Sequence, residues 1–345
     1  DGLGNIIGRI GNGPKIIAFD AHLDTVSPGD LTHWSFDPFQ PKVEDGKVWG
    51  LGSVDQKGGM ASLLSAARII KALNLNDKLT VLFAGTVMEE DCDGLCWQYL
   101  IKEEKIRPDL VVVTEPTNMH IYRGHRGRME MQVEVKGRSC HSSAPERGDN
   151  AIYKIAHIVL EIEKLNEQLS GNTHLGKGSI AVTDVKSSSP SFCAVPNGAN
   201  IRIDRRLTLG ESKERAVAEV CKAAKRAGGD DVSVIVPTYE VPTYTGKVYP
   251  TEKYYPTWAL DTDSPYLKKA VDVYAGIFGK DPLVGMWTFS SNAVAIAGIH
   301  NIPCFIIGPG NELYAHAPNE ACQIEQLRDA AAFYAALIAK LNGKI

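Results

Sequence analysis

The chain has 345 residues, 44% of them apolar, and 37 Lys plus Arg against 41 Asp plus Glu leave a net charge of -4. That length suits two domains or one large one, and the apolar share is enough to build real cores. The near-balanced charge, with no basic stripe or arginine-rich tail, argues against a nucleic-acid partner, and no apolar run reaches the ~18 residues that cross a bilayer.

Seven cysteines, an odd number without a CxxC pair, fit a reducing cytoplasm better than a disulfide framework. Cys92 and Cys96 resemble half of a zinc site, but no second pair completes it. No secretory signal opens the chain, and Asp1 is not a natural start, so the N-terminal part is read as cut or missing.

In chain order, residues 2–26 predict two strands, the first ending at the GNGP turn. The second, IIAF at 16–19, runs on to His22 and Asp24, which share a face if the strand continues. The same pattern recurs: TVLFA at 80–84 leads to Glu89 and Glu90, LVVV at 110–113 to Glu115, and CFII at 304–307 to His316. Continuous apolar runs suit parallel strands covered on both faces, and ligands bind beyond the carboxyl ends of such strands. Each of these residues alone fits an ordinary loop or a helix cap. Four in the same relation point to one rim lined with His, Asp and Glu.

Between the first two runs, LGSVDQKGGM places Asp55 in a glycine-flanked loop before a helix predicted over 60–73. Gly58 and Gly59 invite comparison with a phosphate cradle, but the Gly-x4-Gly-Lys-Ser/Thr spacing is absent. After Glu115 the texture changes. RGHRGRMEMQVEVKG at 123–137 includes an alternating strand, and GRSCHSS carries His141. There follow a helix at 150–169, strands at 180–185 and 199–207, a helix at 211–227 and a strand at 232–236. This order predicts an α+β, ferredoxin-like module with an antiparallel sheet over residues 123–238. It is inserted between the halves, 1–122 and 239–345, of an α/β domain with a mainly parallel sheet. Helices at 265–278 and 323–341 complete that domain.

His22, Asp55, Glu90, Glu115 and His316 together supply two imidazoles and three carboxylates. The set suits zinc, with cobalt or manganese compatible by ligand type, and two ions share it if one carboxylate bridges them. Adjacent Glu89 and Glu90 do not easily face one ion, so one of them is free for proton transfer. The alternative for Glu89 is a solvated carboxylate at a helix start.

HLDTV at 22–26, GSVDQKGG at 52–59, MEED at 88–91, TEP at 114–116, GRSCHSS at 137–143 and AHAPNE at 315–320 run in family order over nearly the whole chain. They resemble the co-catalytic zinc peptidases and deacylases, a family that includes acetylornithine deacetylase, succinyl-diaminopimelate desuccinylase and glutamate carboxypeptidase. The stretch SSSPSFCAVPNGANIRIDRRLTLGE at 187–211 looks most like the selenium-metabolism-linked hydrolase branch.

The resemblance implies that Asp55 bridges two metal ions, with His22 and Glu115 on one and Glu90 and His316 on the other. It implies that Asp24 orients His22 through its free ring nitrogen, that Glu89 is the general base, and that the Asp55–Gln56 peptide is cis. It makes the inserted module a lid and dimerisation domain. There His141 stabilises the oxyanion in a neighbouring subunit, Arg206 grips a substrate carboxylate and Asn197 assists. By its own sequence context His141 reads as a surface-loop histidine, and Cys140 beside it does not form a nucleophilic pair, since sequence neighbours diverge. At 289–293, FSSNA stands where many relatives have a Gly-Thr-Asp type loop near the substrate, so Asn292 puts a neutral amide in place of a carboxylate.

The expected activity is hydrolysis of an amide bond in an N-acyl amino acid or short peptide by a metal-bridged water that Glu89 activates, in a cytoplasmic homodimer. The alternatives are a di- or tripeptidase that recognises a free amine, and a metal-bearing binding protein without activity.

Overall fold

The apolar run before His22 forms the strand Lys15–His22, whose last six residues are all buried. In the computed structural model, which describes residues 1–172, 174–229 and 231–345, the chain divides into two units. The first comprises Asp1–His125, Glu240–Tyr249 and Trp258–Ile345, and the second Arg126–Tyr239 and Pro250–Thr257.

The core of the first unit is an eight-stranded sheet in the order Ile6–Ile10, Leu79–Thr86, Lys15–His22, Leu110–Val113, Cys304–Ile306, Ile121–His125, Trp258–Ala259, with Val284–Trp287 also pairing Ile121–His125. The four strands from Leu79–Thr86 to Cys304–Ile306 run parallel, as their unbroken apolar sequences predict. Period-two alternation then sorts the residues of Lys15–His22 between the two faces. Ile17, Phe19 and Ala21 pack against Leu63, Ala66 and Ile70 of helix Lys57–Ala72 and Phe333, Tyr334 and Leu337 of helix Ile324–Asn342. Asp20 faces the other side, where Asn292 and Thr86 meet it.

Helix Lys57–Ala72 starts three residues before the predicted position 60. Its glycines explain the close approach of that first turn. A Cβ on Gly58 would lie 2.4 Å from the Ser53 carbonyl oxygen, and one on Gly59 would lie 2.5 Å from Thr114 Oγ1. These residues are glycine because the chain passes there, which accounts for them without a phosphate.

In the second unit the strands are ordered Ser179–Ser188, Gly198–Leu207, Gly127–Lys136, Val232–Ile235, all antiparallel to their neighbours. Met129, Met131, Val133 and Val135 alternate inward and pack on Ile155, Ile158, Val220 and Ala223 of helices Ala151–Gln168 and Lys213–Gly228. Asn150 caps the first helix by accepting from Ile152 N at 2.9 Å. Ser212 caps the second, which moves its start from the predicted 211 to 213. Pro250–Thr257 joins this unit because Tyr254–Tyr255 pairs with Gly127–Lys136, a contact that no alternation in the sequence marked. Among the described residues, no helix is long and apolar enough to cross a membrane.

Candidate metal centre

Strand ends set the positions of the candidate ligands. His22 is the last residue of Lys15–His22 and is 1% exposed. Its Nε2 lies 2.8 Å from Asp55 Oδ1, and its Nδ1 lies 2.9 Å from the backbone carbonyl oxygen of Asp24. A proton on Nδ1 donated to that carbonyl leaves the Nε2 lone pair directed at Asp55 and its surroundings. The Asp24 carboxylate stands further off, with Oδ1 at 3.6 Å from Nδ1, and its Oδ2 accepts from Glu90 N at 3.1 Å. Asp24 therefore meets His22 through its main chain and the Glu90 turn through its side chain.

From the other direction comes His316, whose Nε2 lies 2.9 Å from Glu90 Oε2 and 3.4 Å from Asp55 Oδ2. Asp55 thus stands between two imidazoles, one on each carboxylate oxygen. Two sets have ligand atoms that all lie within 4.8 Å of one another: His22, Asp55 and Glu115, and Asp55, Glu90 and His316. Asp55 belongs to both. The Asp55–Gln56 peptide is cis, and Gln56 Oε1 accepts from Thr114 Oγ1 at 2.9 Å.

Electrostatics show what kind of group the centre suits. Burial, reinforced by the charges of neighbouring acids, lifts the carboxyls of Glu89 and Glu115 well above the usual range. Burial works against charge on His22 and Asp55 too. Even so, the nearby carboxylates of Asp24 and Asp55 hold the His22 imidazole well above its ordinary value, and His22 and His316 hold Asp55 well below the carboxylate range. Hydrogen bonds to Asp55 and Glu90 push His316 up to about 10. Among the described residues, Asp24 Oδ1, Glu90 Oε1 and Glu115 Oε1 are buried oxygens with no hydrogen-bond partner. Buried carboxylate oxygens in that state are costly, and divalent cations satisfy them. The donor set of imidazole nitrogens and carboxylates fits such ions.

Glu89 is in neither ligand set. It is buried, with Oε2 3.9 Å from His22 Nε2.

Asn292 lies in the loop expected near the substrate. It is fully buried, and its amide is engaged on both ends. Nδ2 donates to Asp20 Oδ2 at 2.9 Å and to Thr86 Oγ1 at 3.2 Å, while Oδ1 accepts from Gly94 N at 2.9 Å and from Cys96 Sγ at 3.1 Å. Its neutral amide stands opposite a buried acid, where a second carboxylate would repel. Cys92 and Cys96 are both buried, and neither is in a disulfide.

His141, Asn197 and Arg206 all belong to the second unit. His141 is exposed, with Nδ1 2.8 Å from Ser143 Oγ. Asn197 is exposed, and its carbonyl accepts from Gly137 N at 2.9 Å. Arg206 grips Asp204 with both arms of its fork, at 2.7 Å and 3.2 Å.

One residue escaped the sequence reading although it lies in the AHAPNE motif. Glu320 is buried and accepts from the backbone N–H of Gly52, Val54 and Asp55 at 2.7, 2.6 and 2.9 Å. The signal available was an acid four residues after a candidate ligand, and nothing local says that its partners are main-chain amides.

Comparison with known proteins identifies the family. Over 337 residues the chain is 49% identical to the uncharacterized protein YgeY of Escherichia coli, covering 98% of this chain and 83% of YgeY. It is 26% identical over 352 residues to a Staphylococcus epidermidis protein described as a probable succinyl-diaminopimelate desuccinylase, covering 93% of this chain and 82% of that one. The crystal structure of aminopeptidase PepT from Bacillus cereus shares the fold, with a TM-score of 0.72 at 22% identity over 98% of this chain and 84% of PepT. Residues 18–340 match the sequence profile of Peptidase family M20/M25/M40, and the chain belongs to that family as a metal-dependent hydrolase of amide bonds.

Proposed function

We propose that the enzyme holds two divalent ions around Asp55, one with His22 and Glu115 and the other with Glu90 and His316, and that Glu89 is its general base. The observation that carries this reading is that Asp55 is common to both ligand sets while Glu89 stands beside them in neither. Zinc suits two imidazoles and three carboxylates, with cobalt and manganese as alternatives. When bound, the ions supply Lewis-acid charge at the scissile carbonyl and make water acidic near neutral pH.

The residues then divide the work of proton transfer. Glu89 accepts a proton from the attacking water as its oxygen bonds to the amide carbon. As the C–N bond breaks, the same proton passes from Glu89 to the departing nitrogen, leaving an acid and an amine.

For the substrate, we assign an N-acyl amino acid or short peptide, with Arg206 pairing a free carboxylate and His141 and Asn197 contributing contacts. Asp204 favours a second reading. It already occupies the Arg206 fork, and its carboxylate suits the free amine of a di- or tripeptide. The resemblance supports a homodimer, and the free cysteines support a cytoplasmic location. Zinc-reconstituted enzyme tested on N-acyl amino acids and on free dipeptides decides among these readings. Turnover of the acylated substrates is expected, turnover of dipeptides alone favours the amine-recognising peptidase, and calorimetric binding without product identifies a binding protein.

A further inference from the structure

We infer that Glu320 is the residue that positions Asp55 for the second ion, the one shared with Glu90 and His316; this rests on reading Asp55 as a bridging ligand. A buried carboxylate is stable only with a counter-ion or several hydrogen-bond donors. Glu320 is 2% exposed and takes three donors from a single turn, with Gly52 N on Oε2 and Val54 N and Asp55 N on Oε1. Its own carbonyl accepts from Gly50 N at 3.1 Å, so side chain and main chain together hold the turn over residues 50–55. Gly52 has φ +80°, a conformation that glycine alone adopts cheaply. It aims its N–H at Oε2.

The effect is selective because the two ligand sets are supported differently. His22 ends a central strand, and Glu115 lies two residues beyond the strand Leu110–Val113, so the main sheet fixes both. His316 is 55% exposed on a loop, with φ +56°. Beyond His316 the loop is held at Asn319, which accepts from Ser35 N at 2.7 Å and donates to the His33 carbonyl at 3.2 Å, and then at Glu320, which precedes the strand Ala321–Gln323 paired with Lys47–Trp49. Glu320 therefore holds Asp55 through its amide and anchors the end of the loop that carries His316. Removing this carboxylate loosens two of the three residues of the second set and one of the first.

Glu320→Gln preserves size but replaces one acceptor oxygen with an N–H2 that faces backbone donors. Glu320→Asp keeps the charge and is one methylene too short to reach all three amides. The test is calorimetric titration of metal-free wild type, Glu320→Gln and Glu320→Asp with zinc, with cobalt absorption spectra to report the geometry of each site and circular dichroism to confirm the fold. Wild type is expected to take two ions. Both variants are expected to fill the first site with affinity within about 3-fold of wild type and the second 10- to 100-fold more weakly, the usual range for groups that orient ligands.

A wild type that takes two ions, with variants that match it at both sites, overturns the inference alone. A wild type that takes one ion overturns the two-ion reading and this inference with it. Should the variants not fold, amide hydrogen exchange on metal-free wild type decides instead. Protection at Gly52, Val54 and Asp55 comparable with the central strands supports the inference, and exchange at loop rates overturns it.

Discussion

Glu89 Oε2 stands 3.9 Å from His22 Nε2, near enough for their charges to interact and too far for a hydrogen bond. The next residue, Glu90, has turned to His316 at 2.9 Å. Two consecutive acids are thereby separated in space, and the proposed function gives Glu90 to the metal and leaves Glu89 for proton transfer. Glu89→Gln is expected to bind metal as wild type does and to lose about 10²- to 10⁴-fold in kcat. Metal content and steady-state kinetics on the same sample check this; wild-type turnover in the variant would exclude Glu89 as the base.

Asp24 serves His22 with its carbonyl and the Glu90 turn with its carboxylate. Asn at this position still offers an oxygen to Glu90 N, whereas Ala offers none. Asp24→Asn should therefore cost less than Asp24→Ala, for which a loss of about 10- to 100-fold in metal affinity or kcat/KM is expected. Equal losses would mean that the charge matters and the hydrogen bond does not.

Asn292 faces a buried carboxylate, and that predicts a pH-dependent stability defect. Burial raises the Asp20 carboxyl even though Asn292 and Thr86 oppose the shift. A folded-state value above the unfolded one means that stability is lost as pH rises through the folded value. Asn292→Asp sets a second acid against Asp20, so we expect it to destabilise by about 3 kcal/mol at neutral pH, the lower end for an uncompensated buried charge. The gap to wild type should narrow as pH falls toward the ordinary carboxylate range. Urea denaturation at pH 7.5 and pH 5 measures it, and a gap that does not change with pH would exclude the repulsion.

Chelation should abolish turnover and lower thermal stability together, because ions bound by the folded chain alone stabilise it by mass action. At a free concentration of about 100 times Kd, that contribution is roughly 2.7 kcal/mol. Thermal melts with and without chelator, followed by zinc restoration, check it. Activity that survives exhaustive chelation would remove the metal from the mechanism.

What the sequence made legible follows from the range of the interactions involved. The four apolar runs became parallel strands because burial on both faces leaves a continuous local signal, and their ends delivered His22, Glu90, Glu115 and His316 to the sites where both ligand sets form. Helix starts were misplaced by two or three residues where a cap such as Ser212, or a close approach such as that at Gly58, set the boundary. Asn292 and Glu320 were not legible. Their partners lie 272 and 265 residues away, at Asp20 and at the Asp55 backbone, and no period or spacing encodes such pairs. For Asp24, residue identity could not tell a carbonyl from a carboxylate as the group that meets His22.

Anomalous diffraction from crystals of the zinc-reconstituted enzyme tests the central claim most directly. Two peaks are expected to flank Asp55, one contacted by His22 and Glu115 and the other by Glu90 and His316, with Glu89 contacting neither. A single peak, or ions bound away from Asp55, would contradict it.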